Sequence, residues 1–267
     1  PGQRLHLYGP WLYSYRRFVG MVCKKSRVDA TNRCIRTDLM ENADMKIIIS
    51  LVAGLAISGL SSGTAEADAA AGKAAFEANK CTQCHYTDGP AKEKTIDDVL
   101  AKKGPELWYA GSKFNGDWLA GWLADPKNIR LLEYNSLSKP NPGNHPKLSA
   151  ADAASVKDFL MSLTSDVVEA GKVKPKKNPK GKLIFTKKMP CSGCHQYADK
   201  KKGVKGGKSG PSLVDAGVRL NPDWILAYLK NPKVFKPVKD MPNFVGILSD
   251  KDMKNVSRHI ASFKPKK

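Results

Sequence analysis

Acidic residues, cysteine and strand pattern are all scarce in this chain, and each scarcity narrows what it can be. Its 267 residues hold 25 Asp and Glu against 45 Lys and Arg, a formal net charge of +20. Cysteine occurs six times, and beyond residue 67 only as Cys81, Cys84, Cys191 and Cys194, which leaves no further thiol there for nucleophilic catalysis. Apolar and polar residues do not alternate as a half-buried strand requires. Large apolar residues are few, so any core formed by side chains alone is small. The apolar run 47–60 falls short of the roughly 20 residues that span a bilayer.

That run nevertheless has a recognisable setting. Met45-Lys46 is followed by I-I-I-S-L-V-A-G-L-A-I-S-G-L and then by small polar residues ending in Ala65-Glu66-Ala67. A basic start, a short apolar centre and an A-x-A site describe a bacterial export signal over 45–67, cleaved before Asp68. An uncleaved membrane anchor is the other reading. The remainder is expected in the periplasm. Residues 1–44 precede the signal and open on Pro1; we read them as translated upstream sequence, against a genuine extra segment, and set Cys23 and Cys34 aside with them.

All four remaining cysteines lie in the pattern C-x-x-C-H, as C-T-Q-C-H at 81–85 and C-S-G-C-H at 191–195. Two thiols three positions apart on a helical turn can meet the two vinyl groups along one haem edge as thioethers, and the next residue brings an imidazole under the iron. The string is the attachment signature of c-type haem, and two copies imply two covalent haem c groups. His85 and His195 are then the proximal ligands. A zinc site would place its paired C-x-x-C units some 15–20 residues apart. A redox disulfide expects a βαβ setting, and structural disulfides do not explain a histidine after both pairs.

The repetition extends well beyond the hooks. G-K-A-A-F (72–76) matches G-K-L-I-F (181–185), each opening a short helix that leads to its hook. The stretch 104–127, from G-P-E-L-W-Y to A-D-P-K, aligns without a gap to 210–233, from G-P-S-L-V-D to K-N-P-K. L-S-A-A-D (148–152) matches L-S-D-K-D (248–252). Self-similarity of this length marks two copies of one domain: 68–168 and 181–267. Ser149 and Ser249 read as helix N-caps, with Asp152 and Asp252 at the capping-box position. Pro126 and Pro232 close the helices that follow Trp118 and Trp224. The fold is all-α. Residues 169–180, rich in lysine and proline, read as an exposed, semi-stiff linker.

On the G-K-x-x-F helix, the C-x-x-C-H hook, the following G-P-x-L and an M-P before the last helix, residues 68–267 resemble the class I c-type cytochromes, in tandem as in the cytochrome c4 type. The resemblance implies two cytochrome c-like domains, each wrapped around one haem. It implies that Pro105 and Pro211 offer their carbonyls to Nδ1 of His85 and His195, orienting each ligand. It also places Met241 as the distal ligand of the second haem, where a thioether raises the potential. Met189, Met253 and Met161 are assigned to packing or surface.

The copies part at this position. Aligned on the last helix, Asn141 stands in the first domain where the methionine is expected, and His145 lies four residues on. The loop from Pro126 to Leu148 is longer than its counterpart, which would give His145 slack to reach the iron and complete bis-histidine ligation. A five-coordinate iron, or one capped by Asn141, is the alternative. His259 reads as an ordinary surface histidine.

Without 1–67 the chain keeps 36 basic and 20 acidic residues. An exported protein this basic is not expected to meet nucleic acid; lysines near haem edges would steer it onto acidic redox proteins, a membrane respiratory complex or an anionic membrane surface. Lys200, Lys201, Lys202, Lys205 and Lys208 form a candidate docking patch. The expected function is a periplasmic dihaem carrier of single electrons. A dihaem oxidoreductase of thiosulfate-dehydrogenase or peroxidase type, using an open first iron, and a subunit of a respiratory complex are the alternatives.

Overall fold

A computed structural model describes residues 64–199, 203–238 and 241–265. The predicted signal segment lies outside the described residues except for its last four positions, and so do residues 1–44 and three lysines of the predicted docking patch, 200–202. Among the described residues no helix is long and apolar enough to cross a membrane.

The first half comprises α1 (Thr64–Ala78), the short α2 (Ile96–Leu100) and α3 (Ala110–Lys113), then α4 (Gly116–Ala124) and α5 (Ala150–Ser162). The second half repeats the plan with α6 (Pro179–Leu183), α7 (Cys191–Cys194), α8 (Ala216–Arg219), α9 (Pro222–Lys230), α10 (Pro232–Phe235) and α11 (Asp250–Ile260). A π-type turn over Ile184–Lys188 prolongs α6. Among the described residues the only sheet is a two-stranded antiparallel ribbon, β1 (Tyr197–Asp199) with β2 (Gly203–Lys205), in the register Tyr197 opposite Lys205. Three residues per strand are too few to show an alternating pattern in sequence.

The repeated glycine of G-K-x-x-F marks where the first and last helices of each half cross, and Gly72 lies well inside α1 rather than at its start. A Cβ on Gly72 would strike the Ser155 carbonyl in α5, and one on Gly181 the Asn255 carbonyl in α11. Only glycine lets the backbones approach so closely. The phenylalanine four residues on then fills the crossing: Phe76 meets Phe159 edge-on at 5.5 Å, and Phe185, fully buried, meets Phe263 at the same distance. Ser149 and Ser249 cap α5 and α11 by accepting from the backbone N–H of Asp152 (3.1 Å) and Asp252 (3.2 Å).

The halves are not beads on a string. Segments 112–115 and 218–221, equivalent in the repeat, pair with each other. Phe114 bridges Leu220 in antiparallel fashion. Asn115 N–H donates to the Arg219 carbonyl (2.9 Å) and Asn221 N–H to the Lys113 carbonyl (2.8 Å). The two asparagine side chains repeat the exchange, onto Val218 O (2.7 Å) and Ser112 O (3.0 Å). Above this pairing Tyr109 of the first half is buried in the core of the second, stacked on Trp224 and edge-on to Phe235.

The linker is exposed as expected apart from Val173 and Asn178, but it is fastened to the second half. Gly171 and Val173 donate their N–H groups to the Asp223 carboxylate (2.7 and 2.6 Å), Val173 is buried, and Asn178 caps α6 through Gly181 N–H (2.8 Å). The segment is therefore strapped onto the second half. One valine among lysines and prolines suffices, because a single carboxylate collects two backbone donors.

Candidate haem centres

Each hook is formed by one tight turn. Lys80, in the left-handed conformation at φ 58°, ends the run from α1 and starts a 3₁₀ turn over Cys81–Gln83, so that His85 N–H reaches the Cys81 carbonyl at 3.0 Å. In the second copy α7 does the same, with His195 N–H on the Cys191 carbonyl at 3.0 Å. All four thiols are unbonded. Burial pushes the Cys191 thiol up to about 11 and moves Cys81 in the same direction, the reverse of the low-pKa thiolate that a redox dithiol uses. Among the described residues no group of three or more His, Cys, Asp or Glu could hold a metal ion, so the four-ligand zinc alternative has no site there.

The turn that follows fixes the imidazoles. His85 Nδ1 lies 2.7 Å from the Pro105 carbonyl, and His195 Nδ1 lies 2.7 Å from that of Pro211. The glycine before each proline has its own role, which the dipeptide alone did not disclose. A Cβ on Gly104 would sit 2.6 Å from His85 Cε1, and one on Gly210 would sit 2.7 Å from His195 Cε1. With Nδ1–H committed to a carbonyl, Nε2 remains as the nitrogen that can bind a metal. Burial holds His85 below its ordinary range, against the opposing pull of the Pro105 hydrogen bond, and favours the neutral imidazole that coordination needs.

Residues 69–164 match the family model of cytochrome c, and residues 177–260 match that of cytochrome C oxidase, cbb3-type, subunit III. These are two class I c-type cytochrome domains in tandem. No curated protein and no solved structure matches the chain. Cytochrome c domains bind haem c covalently and transfer electrons through it, and the residues present suit that group: paired free thiols, an oriented imidazole and a glycine that keeps the space beside it clear.

In the second cytochrome domain Met241 is half-buried and packs against the core. Met253 is buried in α11 and Met189 packs at the edge of the same core. In the first, Met161 packs on the α1–α5 core. The ring centroids of His85 and His145 lie 6.1 Å apart. The indole of Trp122 contacts His145 at 4.7 Å and is itself anchored by donating to the Lys127 carbonyl at 2.9 Å. Trp122 went unnoticed in the sequence, where it reads as one more apolar position of α4.

The long loop before α5 is ordered rather than slack. Leu132 bridges Pro140, Glu133 O accepts from Ser136 N–H, and Asn141 N–H reaches the Leu131 carbonyl at 3.0 Å. Asn141 is spent in holding it: its Nδ2 donates to Arg130 O (2.9 Å), its Oδ1 accepts from Gly143 N–H (3.0 Å), and its carbonyl accepts from Asn128 (2.8 Å). Both polar atoms of the side chain are used locally.

His259 is a correction. It is not an ordinary surface residue: its ring packs against Phe263 (4.8 Å) and Phe185 (6.1 Å), and both nitrogens are buried without a hydrogen-bond partner. Burial pushes it down to about 4, so it is a neutral packing group. Its neighbour Ser257 is also buried, bonding back to the Met253 carbonyl at 2.8 Å, and this hides the inward face behind a polar sequence.

Charges at the domain boundary were equally invisible. The Glu106 carboxylate is fully buried and accepts from Tyr109 Oη (2.8 Å), while Lys102 of its own domain and Lys236 of the other form ion pairs with it. Burial alone would raise it, but the lysines, Lys236 foremost, overcome this and hold it at about 2. Lys113 and Arg219, equivalent in the repeat, each lie over the other domain's tryptophan, Lys113 at 5.1 Å from Trp224 and Arg219 at 5.7 Å from Trp118.

Proposed function

We propose that this chain is an exported dihaem electron carrier of the periplasm, with one haem c in each domain. Cys81, Cys84 and His85 hold the first, and Cys191, Cys194, His195 and Met241 the second. The observation that carries this reading is the twofold occurrence of an unbonded thiol pair beside an imidazole whose Nδ1 lies 2.7 Å from a prolyl carbonyl. Bound haem iron supplies a one-electron couple between ferric and ferrous states. The chain's own contribution would be to hold each haem through its two thiols and oriented imidazole and to keep both centres in one unit.

The partner chemistry follows from charge. A basic exported protein docks on acidic redox proteins or on an acidic face of a membrane respiratory complex, and an anionic membrane surface would concentrate it there. Lys205 and Lys208 are exposed beside the β1–β2 ribbon, where they could contribute to such docking. Intact mass and haem quantification on the purified exported protein test the reading, with two covalent haems per chain surviving acid-acetone extraction as the expected result. A single haem would overturn it. Reduction by the physiological donor should slow steeply as salt rises, because exposed charges are screened beyond a Debye length; a salt-independent rate would remove the docking proposal.

A further inference from the structure

We propose that His145 is the sixth ligand of the first haem, opposite His85, so that this iron is closed to small molecules and has the lower potential of the two. The inference rests on the reading of 81–85 as haem-bearing. Three observations carry it. First, the spacing fits. Two imidazoles bound to one metal from opposite sides, with metal–nitrogen bonds of about 2 Å, have ring centroids about 6 Å apart, and His85 and His145 stand at 6.1 Å.

Second, His145 carries the same orienting device as the proximal histidines. Its Nδ1 lies 2.9 Å from the carbonyl of Pro146, as His85 Nδ1 lies 2.7 Å from that of Pro105. Each ring thereby commits Nδ1 to a prolyl oxygen and keeps Nε2 for a metal. Such a partner fixes the tautomer and raises the basicity of a ligand. Third, the competing donor is engaged elsewhere, since Asn141 uses both polar atoms of its side chain to close the loop. That closure shapes the segment that delivers His145.

Trp122 acts as a positioning residue. Held by its hydrogen bond to Lys127 O, its indole limits the tilt of His145. The equivalent position in the second domain is Tyr228, which stacks on Trp224 at 5.2 Å as Trp122 stacks on Trp118 at 5.9 Å. A thioether favours ferrous iron and raises the potential, whereas a second imidazole does not. The first haem is therefore the one more readily oxidised, and it passes electrons to the second. A six-coordinate first iron also leaves the oxidoreductase alternative without an open position.

The test uses the oxidised holoprotein at neutral pH. Electron paramagnetic resonance should show two low-spin ferric signals in equal amount, and near-infrared magnetic circular dichroism should assign one to two imidazoles and one to imidazole with thioether. His145→Ala should convert one signal to high-spin and let that iron bind added cyanide. His145→Met should move its near-infrared band to that of the other haem and raise its midpoint potential. Trp122→Leu should keep the low-spin signal but broaden it. A high-spin component in the unmutated protein, or low-spin signals unchanged by His145→Ala, would overturn the assignment. Should the alanine variant fail to accumulate, the band of the unmutated protein and the His145→Met variant decide. Haem counting separates the two levels: one haem per chain defeats the dihaem reading itself, while two haems with a different axial signature defeat only the role of His145.

Discussion

The two cytochrome domains agree at their C-x-x-C-H hooks and differ in the segment before the last helix. Hook, orienting carbonyl and crossing glycine have the same geometry in both, down to 2.7 Å between each histidine and its proline. The segment before the last helix does not: the first domain builds a bridged loop that presents His145 beside Trp122, and the second packs Met241 against its core. The boundary charges differ as well. Arg219 is paired with Asp215 at 3.1 Å, whereas burial and the repulsion of Lys236 push Lys113 down to about 7. Attachment chemistry tolerates one solution, while potential and domain contact can be tuned separately in each copy.

The strongest way to break the comparison is to empty one side. Cys81→Ser combined with Cys84→Ser should halve the covalent haem content, and the corresponding pair at Cys191 and Cys194 should do the same. Loss of the second haem should also lower the melting temperature more, because the core of that domain buries Tyr109 of the first. Haem counting and calorimetry check both.

The boundary offers the next largest effect. Glu106→Gln leaves Lys236 beside a buried site without its anion, while Lys102 keeps its ion pair with Glu93, at a cost of about 3 kcal/mol, whereas Ser212→Ala, at the equivalent position, should be close to neutral. Glu106 has its pKa depressed in the folded state, so the stability it confers is complete above its ordinary value of 4.5 and is lost as the pH falls towards about 2. Denaturation curves across that range should steepen for the parent protein and flatten for the variant.

Smaller effects should be shared equally by the copies. Gly72→Leu and Gly181→Leu each force a side chain against a facing helix carbonyl, costing about 1–3 kcal/mol or more. Ser149→Ala and Ser249→Ala each remove one N-cap bond, costing about 1 kcal/mol. Urea unfolding of the four variants measures whether the symmetry holds, and a large inequality within either pair would show that the scaffold has diverged as well as the ligand loop.

What could be read from the sequence follows the same division. C-x-x-C-H and G-P repeat because thioether bonds and an oriented imidazole demand particular atoms at particular spacings, so they are visible without a structure. The all-α character and the serine caps are local and equally visible. The pairing of 112–115 with 218–221, the Lys113–Trp224 and Arg219–Trp118 contacts and the strapping of Val173 join residues far apart in sequence and leave no local pattern. His259 stands next to the polar pair Ser257-Arg258, which makes it read as exposed, although Met253, Val256, Ser257 and Ile260 turn inward.

The reciprocal pairing of 112–115 with 218–221 changes what the connecting segment can be doing. If that pairing and the shared aromatic core hold the halves in register, residues 169–180 do not set the spacing of the two redox centres. They act as a tether, supplying an effective concentration of one half for the other, typically millimolar for a short connection. Lengthening the tether by a few glycines would then weaken the association slightly while leaving the rate of electron exchange within the closed molecule unchanged. Cutting it would convert an intramolecular contact into a concentration-dependent complex of two separate haem proteins.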